Sequence, residues 1–427
     1  MRRRAELRVA AAEVDERRAV LGSRGSDAAE ERDEVLIGKP PEAGGPGAHP
    51  VIVFVPALSR LGLVNLVEAL SVGIGPRTAG SSESSRAADV VADAFRELGL
   101  EPRFQEFDLV GYEADEPELE VEGEPWPVGP CMYAHPFTGE GTVRRIGTSS
   151  NPIGDGKLAN FAVVDSSGRE VARLLTSPFS IGAIPFMSSH VHITTPPTAF
   201  VSIADSARLE DGMRVRVKIG GRFVPGRRER NVIADIPGRD DKHVIVCAHY
   251  DSVWRGNGAI DNATGVEGVR RVGEALVGRE LEHGVRLVGF AAEEIKMTGS
   301  RYYVDEAVLR EELDDILGVV NLDCIGHGEK FEILASPDAL LGRAVEAARG
   351  LGLLDRYELE TGTATGGVDS HWFVEKNVPA ATILHFPYDE YHLPTESPAL
   401  VDEQLMDDSI ALAIALVESQ LEQPLPR

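Results

Sequence analysis

The sequence predicts an α/β protein with a doubly wound, mostly parallel mixed sheet flanked by helices and with an inserted, mainly-β domain. Two observations predict this class. From residue 231 onward, apolar strand-like runs alternate with helical stretches, which is typical of a parallel sheet covered on both faces. Between residues 108 and 229, prolines and glycines are frequent, the strand-like runs are short and helical periodicity is rare.

The amino-terminal part of the chain differs from both of these units. Residues 1–50 are charged and then rich in glycine and proline, which predicts a tail and linker without a packed core. We therefore divide the chain into this tail, an α/β domain formed by residues 51–107 together with 230–427, and an inserted β domain over 108–229.

Two helices and one strand are predicted before the insert. Residues 61–70 have a helical pattern, and the signal over 81–98 is stronger because apolar residues recur there at helical spacing. Ser82 is placed to cap this second helix and Gly99 to end it. A strand is predicted over 102–107.

Within the insert, two runs indicate strands of different kinds. Residues 161–165 are almost continuously apolar, as in a buried strand. Residues 214–218 alternate basic and apolar side chains, as in a strand with one face in solvent.

The charge of the chain argues against a nucleic-acid partner. Its 69 acidic and 43 basic residues give a formal net charge of −26, and so acidic a surface repels phosphate backbones. The same charge favours solubility and suits cationic groups such as peptide amines.

The sequence as written predicts neither a membrane span nor export. No apolar run reaches the 18 residues or more that a transmembrane helix needs. The basic start Met1–Arg4 is followed by charged residues rather than by the apolar core of a signal peptide. Cys131, Cys247 and Cys324 form no paired pattern, so we expect no disulfide framework. A cytoplasmic location follows, with an extracellular one as the alternative if the start site is misassigned.

Three apolar runs end in side chains that can bind a metal ion. They are 243–248 before His249 and Asp251, 285–292 before Glu293 and Glu294, and 317–322 before Asp323. Because ligands bind at the carboxyl ends of the strands in open parallel sheets, we expect these side chains to converge. Asp323 is the most telling of them, because an acid among apolar residues is costly to bury without a partner.

Two loops add further candidates. Asp261 lies at the centre of a glycine-bracketed turn over 258–265, and His392 follows another apolar run, 380–384. Nitrogen and oxygen donors without cysteine suit a catalytic zinc ion, with Co²⁺ and Mn²⁺ as alternatives.

Together these motifs resemble the zinc-dependent peptidases of family M28, the aminopeptidase and glutamate-carboxypeptidase group. The resemblance covers residues 231 to about 420 and extends more loosely to 77–81. It is carried by the following motifs: His249-Tyr250-Asp251-Ser252, Gly258-Ala259-Ile260-Asp261-Asn262, Glu293-Glu294 with Gly299-Ser300, Asn321-Leu322-Asp323, and Tyr391-His392.

The resemblance implies the zinc exopeptidase fold and a site for two Zn²⁺ ions. By this resemblance, Asp261 would bridge both ions. The remaining ligands are Glu294 and His392 for one ion, and His249 and Asp323 for the other. Asp251 would accept a hydrogen bond from the His249 imidazole and fix its tautomer. Glu293 would be the general base.

The resemblance also implies an activity. The expected reaction is hydrolysis of peptide bonds near a chain terminus, by an aminopeptidase that uses a metal-bridging hydroxide. Residues 108–229 resemble the protease-associated insert of some relatives, which would shape access to the site. A peptide is the expected substrate, and the sequence is silent on the oligomeric state.

Several positions depart from the family pattern. Lys296 and Met297 follow the glutamate pair where many relatives have Gly and Leu, and Glu396 stands where Asp is common. Residues 368–373 resemble the family's Ser-Asp-His segment with Asp and Ser exchanged. Residues 361–367 contain no tyrosine that could bind the substrate carbonyl, so the oxyanion donor stays open.

Three alternatives remain at this stage. The chain could be an acyltransferase resembling glutaminyl cyclases, which share the fold and use one zinc ion, or a receptor-like binding protein without catalysis. Within the peptidases, a carboxypeptidase acting on acidic residues needs an arginine, for which Arg228, Arg255 and Arg301 are candidates by position only.

Overall fold

The computed structural model describes residues 65–150, 156–179, 196–364 and 366–426. The tail predicted over 1–50 and the first part of the helix predicted over 61–70 lie outside the described residues.

The described helices are short to medium in length. They are α1 (Leu66–Glu68), which continues as the π-helical turn Ala69–Ile74, α2 (Ser82–Glu97), α3 (Ile203–Ser206), α4 (Gly265–Leu276), α5 (Thr298–Leu309), α6 (Asp338–Gly350), α7 (His371–Val374) and α8 (Glu403–Glu422).

The described strands form two separate sheets. They are β1 (Arg103–Ala114), β2 (Glu118–Val121), β3 (Glu124–Trp126), β4 (Gly129–Pro130), β5 (Phe137–Ser150), β6 (Lys157–Val164), β7 (Glu170–Thr176), β8 (Thr198–Val201), β9 (Arg214–Ile219), β10 (Gly221–Ile236), β11 (His243–His249), β12 (Gly284–Phe290), β13 (Ile316–Leu322), β14 (Lys330–Ser336), β15 (Leu359–Gly362) and β16 (Ala380–Phe386).

The first sheet has the mixed, mostly parallel topology that the sequence predicts. Its strand order is β1-β10-β12-β11-β13-β16-β14-β15. The four central strands β12, β11, β13 and β16 run parallel, while β10 and β14 pair antiparallel with their central neighbours.

Helices cover both faces of this sheet. On β11, Val244 and Val246 belong to the apolar core that contains α2, α4, α6 and α8. The alternate residues Ile245 and Cys247 belong to a second core with Phe373 of α7 and side chains of α5. Because successive strand side chains point to opposite faces, this division shows that the sheet is doubly wound.

The helix predicted over 81–98 is α2, but its cap was predicted one residue too late. Ser81, not Ser82, is the N-cap, and its hydroxyl accepts a hydrogen bond from the Ser84 backbone N–H at 3.0 Å. A serine at either position could serve, and the backbone selects Ser81 because its extended conformation is the one that an N-cap needs.

The second sheet is formed by residues 118–219. Its order is β3-β2-β9-β5-β6-β7-β8-β4, and all its pairs are antiparallel except β7 with β8. It has an apolar core of its own, with Phe161 of β6 and Val217 of β9 among its members. The predicted alternation along β9 is confirmed, because its even-numbered residues are exposed and its odd-numbered residues are buried.

The long antiparallel pair β1 and β10 joins the two sheets. These strands belong to the first sheet and carry the chain into and out of the second. Each strand crosses a domain boundary that was predicted from the sequence: β1 crosses 107/108, and β10 crosses 229/230. The domain division itself stays a prediction.

None of the described helices combines the length and the apolar character that crossing a bilayer requires.

Candidate metal centre

The predicted residues lie at one edge of the first sheet. His249 is the last residue of β11, and Glu293 and Glu294 follow the end of the neighbouring strand β12. Asp323 follows β13, the neighbour of β11 on its other side. Parallel strands end at the same sheet edge, so these side chains meet there as expected.

One group of possible ligands contains His249, Asp261 and Asp323. Nε2 of His249 lies 3.0 Å from Oδ1 of Asp261 and 3.5 Å from Oδ1 of Asp323. All three side chains are buried.

A second group contains Asp261, Glu294 and His392. Nε2 of His392 lies 3.1 Å from Oδ2 of Asp261 and 3.4 Å from Oε2 of Glu294. Asp261 therefore belongs to both groups and turns one carboxylate oxygen toward each.

These groups fit zinc. In each, the ligand atoms lie within 4.8 Å of one another, and each offers one imidazole nitrogen and two carboxylates. Three protein ligands of this kind are typical of a catalytic zinc site, which keeps its fourth position for water or substrate. The buried Oε1 of Glu294 and Nδ1 of His392 have no hydrogen-bond partner among the described residues.

The electrostatics also indicate a cation. Burial raises the pKa of Glu293 and Glu294 well above the ordinary value and raises that of Asp323 as well. Asp261 behaves differently: burial disfavours its charged form, but hydrogen bonds to His249 and His392 lower its pKa. Four acids this close are costly to ionise together unless positive charge compensates them.

Glu293 stands beside both groups and belongs to neither. Its Oε2 lies 4.0 Å from Nε2 of His249, and its side chain is nearly buried. This placement puts a carboxylate next to the metal positions without using it as a ligand.

Asp251 orders the backbone of the glutamate pair. It is completely buried, and its two oxygens accept hydrogen bonds from the backbone N–H groups of Glu293 (3.0 Å) and Glu294 (3.3 Å). Its Oδ1 lies 3.5 Å from Nδ1 of His249, which is long for a hydrogen bond. The predicted role of Asp251 toward the His249 ring therefore stays a prediction, while its bonds to the backbone are present.

Glu396 holds the turn that carries Asp261. Its Oε1 accepts hydrogen bonds from the backbone N–H groups of Ile260 (2.7 Å) and Asp261 (2.8 Å). Burial, together with the nearby charge of Asp261, raises the pKa of Glu396 to about 8. The sequence marked this residue only as a departure from a family pattern.

Asn262 ties the same turn to the sheet. Its side-chain amide donates to the Leu322 carbonyl at 2.9 Å, and its Oδ1 accepts from the backbone N–H groups of Gly265 (2.9 Å) and Cys324 (3.2 Å). The peptide bond between Asp261 and Asn262 is cis.

Arg77 is a buried cation near the acids of the site, and no role for it was predicted from the sequence. Its side chain is fully buried, and its guanidinium donates to the backbone carbonyls of Tyr250 (2.5 Å), Asn257 (2.6 Å) and Gly258 (2.7 Å). These carbonyls belong to the connection between β11 and α4, which carries both Asp251 and Asp261. Burial lowers the pKa of Arg77 to about 10, which leaves it charged at neutral pH.

Comparison with known proteins places this site in a family. Residues 231–417 match the family model described as Peptidase family M28. This segment belongs to peptidase family M28. The match contains all the predicted metal ligands and Glu293.

Curated relatives agree with that assignment. Leucine aminopeptidase 2 of Arthroderma otae is 32% identical over 204 residues, which are 44% of this chain and 41% of that protein. Aminopeptidase YwaD of Bacillus subtilis is 25% identical over 280 residues, which are 61% of this chain and 60% of that protein. In these alignments the chain spans less than two thirds of each relative's length.

The fold likeness extends further than the sequence likeness. The structure of BSAP, a zinc aminopeptidase from Bacillus subtilis, superimposes with a TM-score of 0.66 and covers 84% of this chain and 95% of that one. The two chains are 18% identical, so this likeness concerns the fold, and it confirms the predicted fold class.

Tyr391, which belongs to the Tyr391-His392 motif, lies against a predicted metal ligand. Its ring stacks on His392 with centroids 3.8 Å apart, and burial raises the pKa of its phenol well above the ordinary value.

Asp369 is a further buried acid in the M28 segment. It lies in the 368–373 segment that resembled a family motif with two residues exchanged. It accepts a hydrogen bond from the Ser300 hydroxyl at 2.5 Å, and burial raises its pKa to about 7.

The arginines proposed by position lie outside the metal centre and have acidic partners. Arg228 pairs with Glu106 and Asp108. Arg301 lies near Asp305 in a separate pair, and all these side chains are exposed. Arg255 pairs with Glu116 and covers the ring of Trp254.

Proposed function

We propose that this chain is a two-zinc exopeptidase that releases amino-terminal residues from peptides. The observation that carries the proposal is the pair of ligand groups that share Asp261, with Glu293 beside both. The names of the M28 relatives, leucine aminopeptidase 2 and aminopeptidase YwaD, support it.

In this proposal every ligand has an assigned place. His249, Asp261 and Asp323 would hold one zinc ion, and Asp261, Glu294 and His392 would hold the other. Zinc there would supply a Lewis acid and lower the pKa of a water molecule.

Glu293 moves the proton. Its carboxylate takes a proton from the attacking water as the water oxygen bonds to the carbonyl carbon. The same proton then passes to the leaving nitrogen as the C–N bond breaks, so the carboxylate is regenerated. Asp251 keeps Glu293 aimed at the site through the backbone hydrogen bond that it accepts.

Charge around the centre favours a substrate amine over a substrate carboxylate. Arg77 is fully buried and already donates to four backbone carbonyls. Arg228, Arg255 and Arg301 are paired with acids on the surface. With these partners, the four arginines are not arranged to bind a substrate carboxylate. These contacts support an aminopeptidase rather than a carboxypeptidase.

The test is Glu293→Gln in the zinc-loaded chain. Hydrolysis of L-leucine p-nitroanilide should fall by at least about 100-fold, since general acid–base catalysis contributes roughly 10²–10⁴-fold. Bound zinc should stay near two ions per chain, as in the wild type. Glu332→Gln, a change at a half-buried glutamate of β14, serves as the matched control and should retain full activity.

Other outcomes would point elsewhere. Unchanged turnover in the Glu293→Gln variant contradicts the assigned base. Zinc near one ion per chain, with pyroglutamate and ammonia formed from an amino-terminal glutamine peptide, would favour a glutaminyl-cyclase-like enzyme. Release of carboxy-terminal residues from amino-blocked peptides would show a carboxypeptidase.

We also propose a division of labour along the chain. Residues 51–107 and 230–427 would form the catalytic domain. Residues 108–229, an insert resembling the protease-associated type, would shape access to it. The second sheet, with its separate apolar core, supports this division.

A further inference from the structure

We propose that Phe179, contributed by the second sheet, forms one wall of the pocket that receives the substrate's first side chain and selects large apolar residues. The inference rests on the proposed aminopeptidase function and names a specificity-determining residue outside the M28 segment.

Phe179 lies shortly after the end of β7 and reaches the metal centre through aromatic contacts. Its ring meets Tyr391 edge to face with centroids 5.1 Å apart, and Phe386 in the same manner at 5.7 Å. Tyr391 in turn stacks on the predicted ligand His392 at 3.8 Å. Phe179 is therefore separated from a metal ligand by a single ring.

The aromatic cluster contains chain neighbours of three predicted ligands. Ile260, Cys324 and Tyr388 are its buried members, and Tyr391 and Phe386 pack against them. Ile260 precedes Asp261 in the chain, Cys324 follows Asp323, and Tyr391 precedes His392. An apolar surface thus adjoins three of the five predicted ligands.

The cluster has the chemistry of an apolar side-chain pocket. Its buried members are an isoleucine, a cysteine and a tyrosine, so a charged substrate side chain would lose hydration against them. Phe179, Phe386 and Tyr391 are half-buried rather than buried, which leaves ring surface that a leucine or phenylalanine side chain could cover. A substrate bound at the zinc ions would place its first side chain beside these rings.

A purely structural role for Phe179 can be separated by experiment. Phe179 also packs against the core of the second sheet, as does Phe137, which is likewise half-buried. Phe179 additionally contacts Tyr391 and Phe386. Phe137→Ala is therefore a matched control for loss of packing in the second sheet.

The experiment compares kcat/KM for L-leucine and L-alanine p-nitroanilides in the zinc-loaded full chain. Phe179→Ala should lower the leucine-to-alanine ratio by roughly five- to tenfold, a part of the discrimination that hydrophobic pockets provide. Phe179→Leu should keep most of the ratio, because it keeps an apolar wall. Phe137→Ala should leave the ratio unchanged.

A second variant keeps the inference testable if Phe179→Ala does not fold. Phe179→Trp enlarges the wall, so it should impair leucine turnover more than alanine turnover. An unchanged ratio in Phe179→Ala and Phe179→Trp, or the same shift in Phe137→Ala, would overturn the inference. A wild-type chain that hydrolyses neither substrate would instead contradict the proposed function itself.

Discussion

Replacing Arg77 with methionine should destabilise the protein and weaken its metal site together. Methionine fills much of the same volume but donates no hydrogen bond. The carbonyls of Tyr250, Asn257 and Gly258 would then lose the donor that they share. Glu396, whose pKa the Arg77 charge helps to hold down, would also lose a nearby cation.

The expected magnitude follows from these contacts. A buried acceptor left without a partner costs about 1–3 kcal/mol. The Tyr250 and Asn257 carbonyls would lose their donor, while the Gly258 carbonyl keeps the Ala263 N–H at 3.2 Å. Part of this loss is offset, because methionine removes the cost of burying a charge, the same cost that lowers the Arg77 pKa to about 10. A net loss of about 3–5 kcal/mol is expected, similar to breaking a buried ion pair from one side.

The assay is urea unfolding of the full chain, with and without zinc, together with a zinc titration against a chelator. Because the carbonyls lie in the connection that carries Asp251 and Asp261, zinc affinity should fall by about 10–100-fold. Arg279→Met removes an exposed arginine paired with Glu418 and should cost less than about 1 kcal/mol. A loss in Arg77→Met no larger than in this control would refute the reasoning.

Two further predictions concern single side chains. Asp251→Asn should lower zinc affinity by about 10–100-fold, because the variant loses the negative charge beside His249 and accepts weaker hydrogen bonds from the backbone of Glu293 and Glu294. Asp108→Asn, a change on the exposed face of β1, is the control. Equal zinc affinity in the two variants would contradict the prediction. His385 is buried, its Nδ1 accepts from the Gly326 backbone N–H at 2.8 Å, and burial lowers its pKa from 6.5 to about 3. Its neutral form therefore contributes stability above pH 6.5 that is lost as the pH falls toward 3. The difference in unfolding free energy between wild type and His385→Gln should shrink over this range by up to about 1.4 kcal/mol per pH unit. A difference that does not depend on pH would show that His385 is not buried in its neutral form.

The sequence predicts the metal centre well where the signal is local. An apolar run followed by an acid or histidine can be recognised in the chain itself, as at His249 and Asp323. Parallel strands that end at one sheet edge then bring such residues together. Asp261 and His392 lie in loops, where a glycine-bracketed turn and a preceding apolar run indicated them as candidates, and the resemblance to a family gave them their expected roles.

The supporting residues were missed because their partners are distant or carry no sequence signal. Arg77 bonds to backbone carbonyls more than 170 positions away, and every residue type has such a carbonyl. Glu396 accepts from backbone N–H groups near Asp261, again over a long separation. The cap of α2 was placed one residue late because adjacent serines look alike until the backbone conformation is known.

By itself, the sequence determined the fold class and the donor atoms of the site. Strand and helix periodicity act between residues a few positions apart, so they can be read along the chain. The tertiary structure alone decided that Asp261 turns one oxygen to each histidine, that Arg77 lies buried near the acids of the site, and that Phe179 reaches Tyr391 from the other sheet. These contacts depend on how separately formed elements pack, and side-chain packing between distant segments leaves no periodic trace in the sequence.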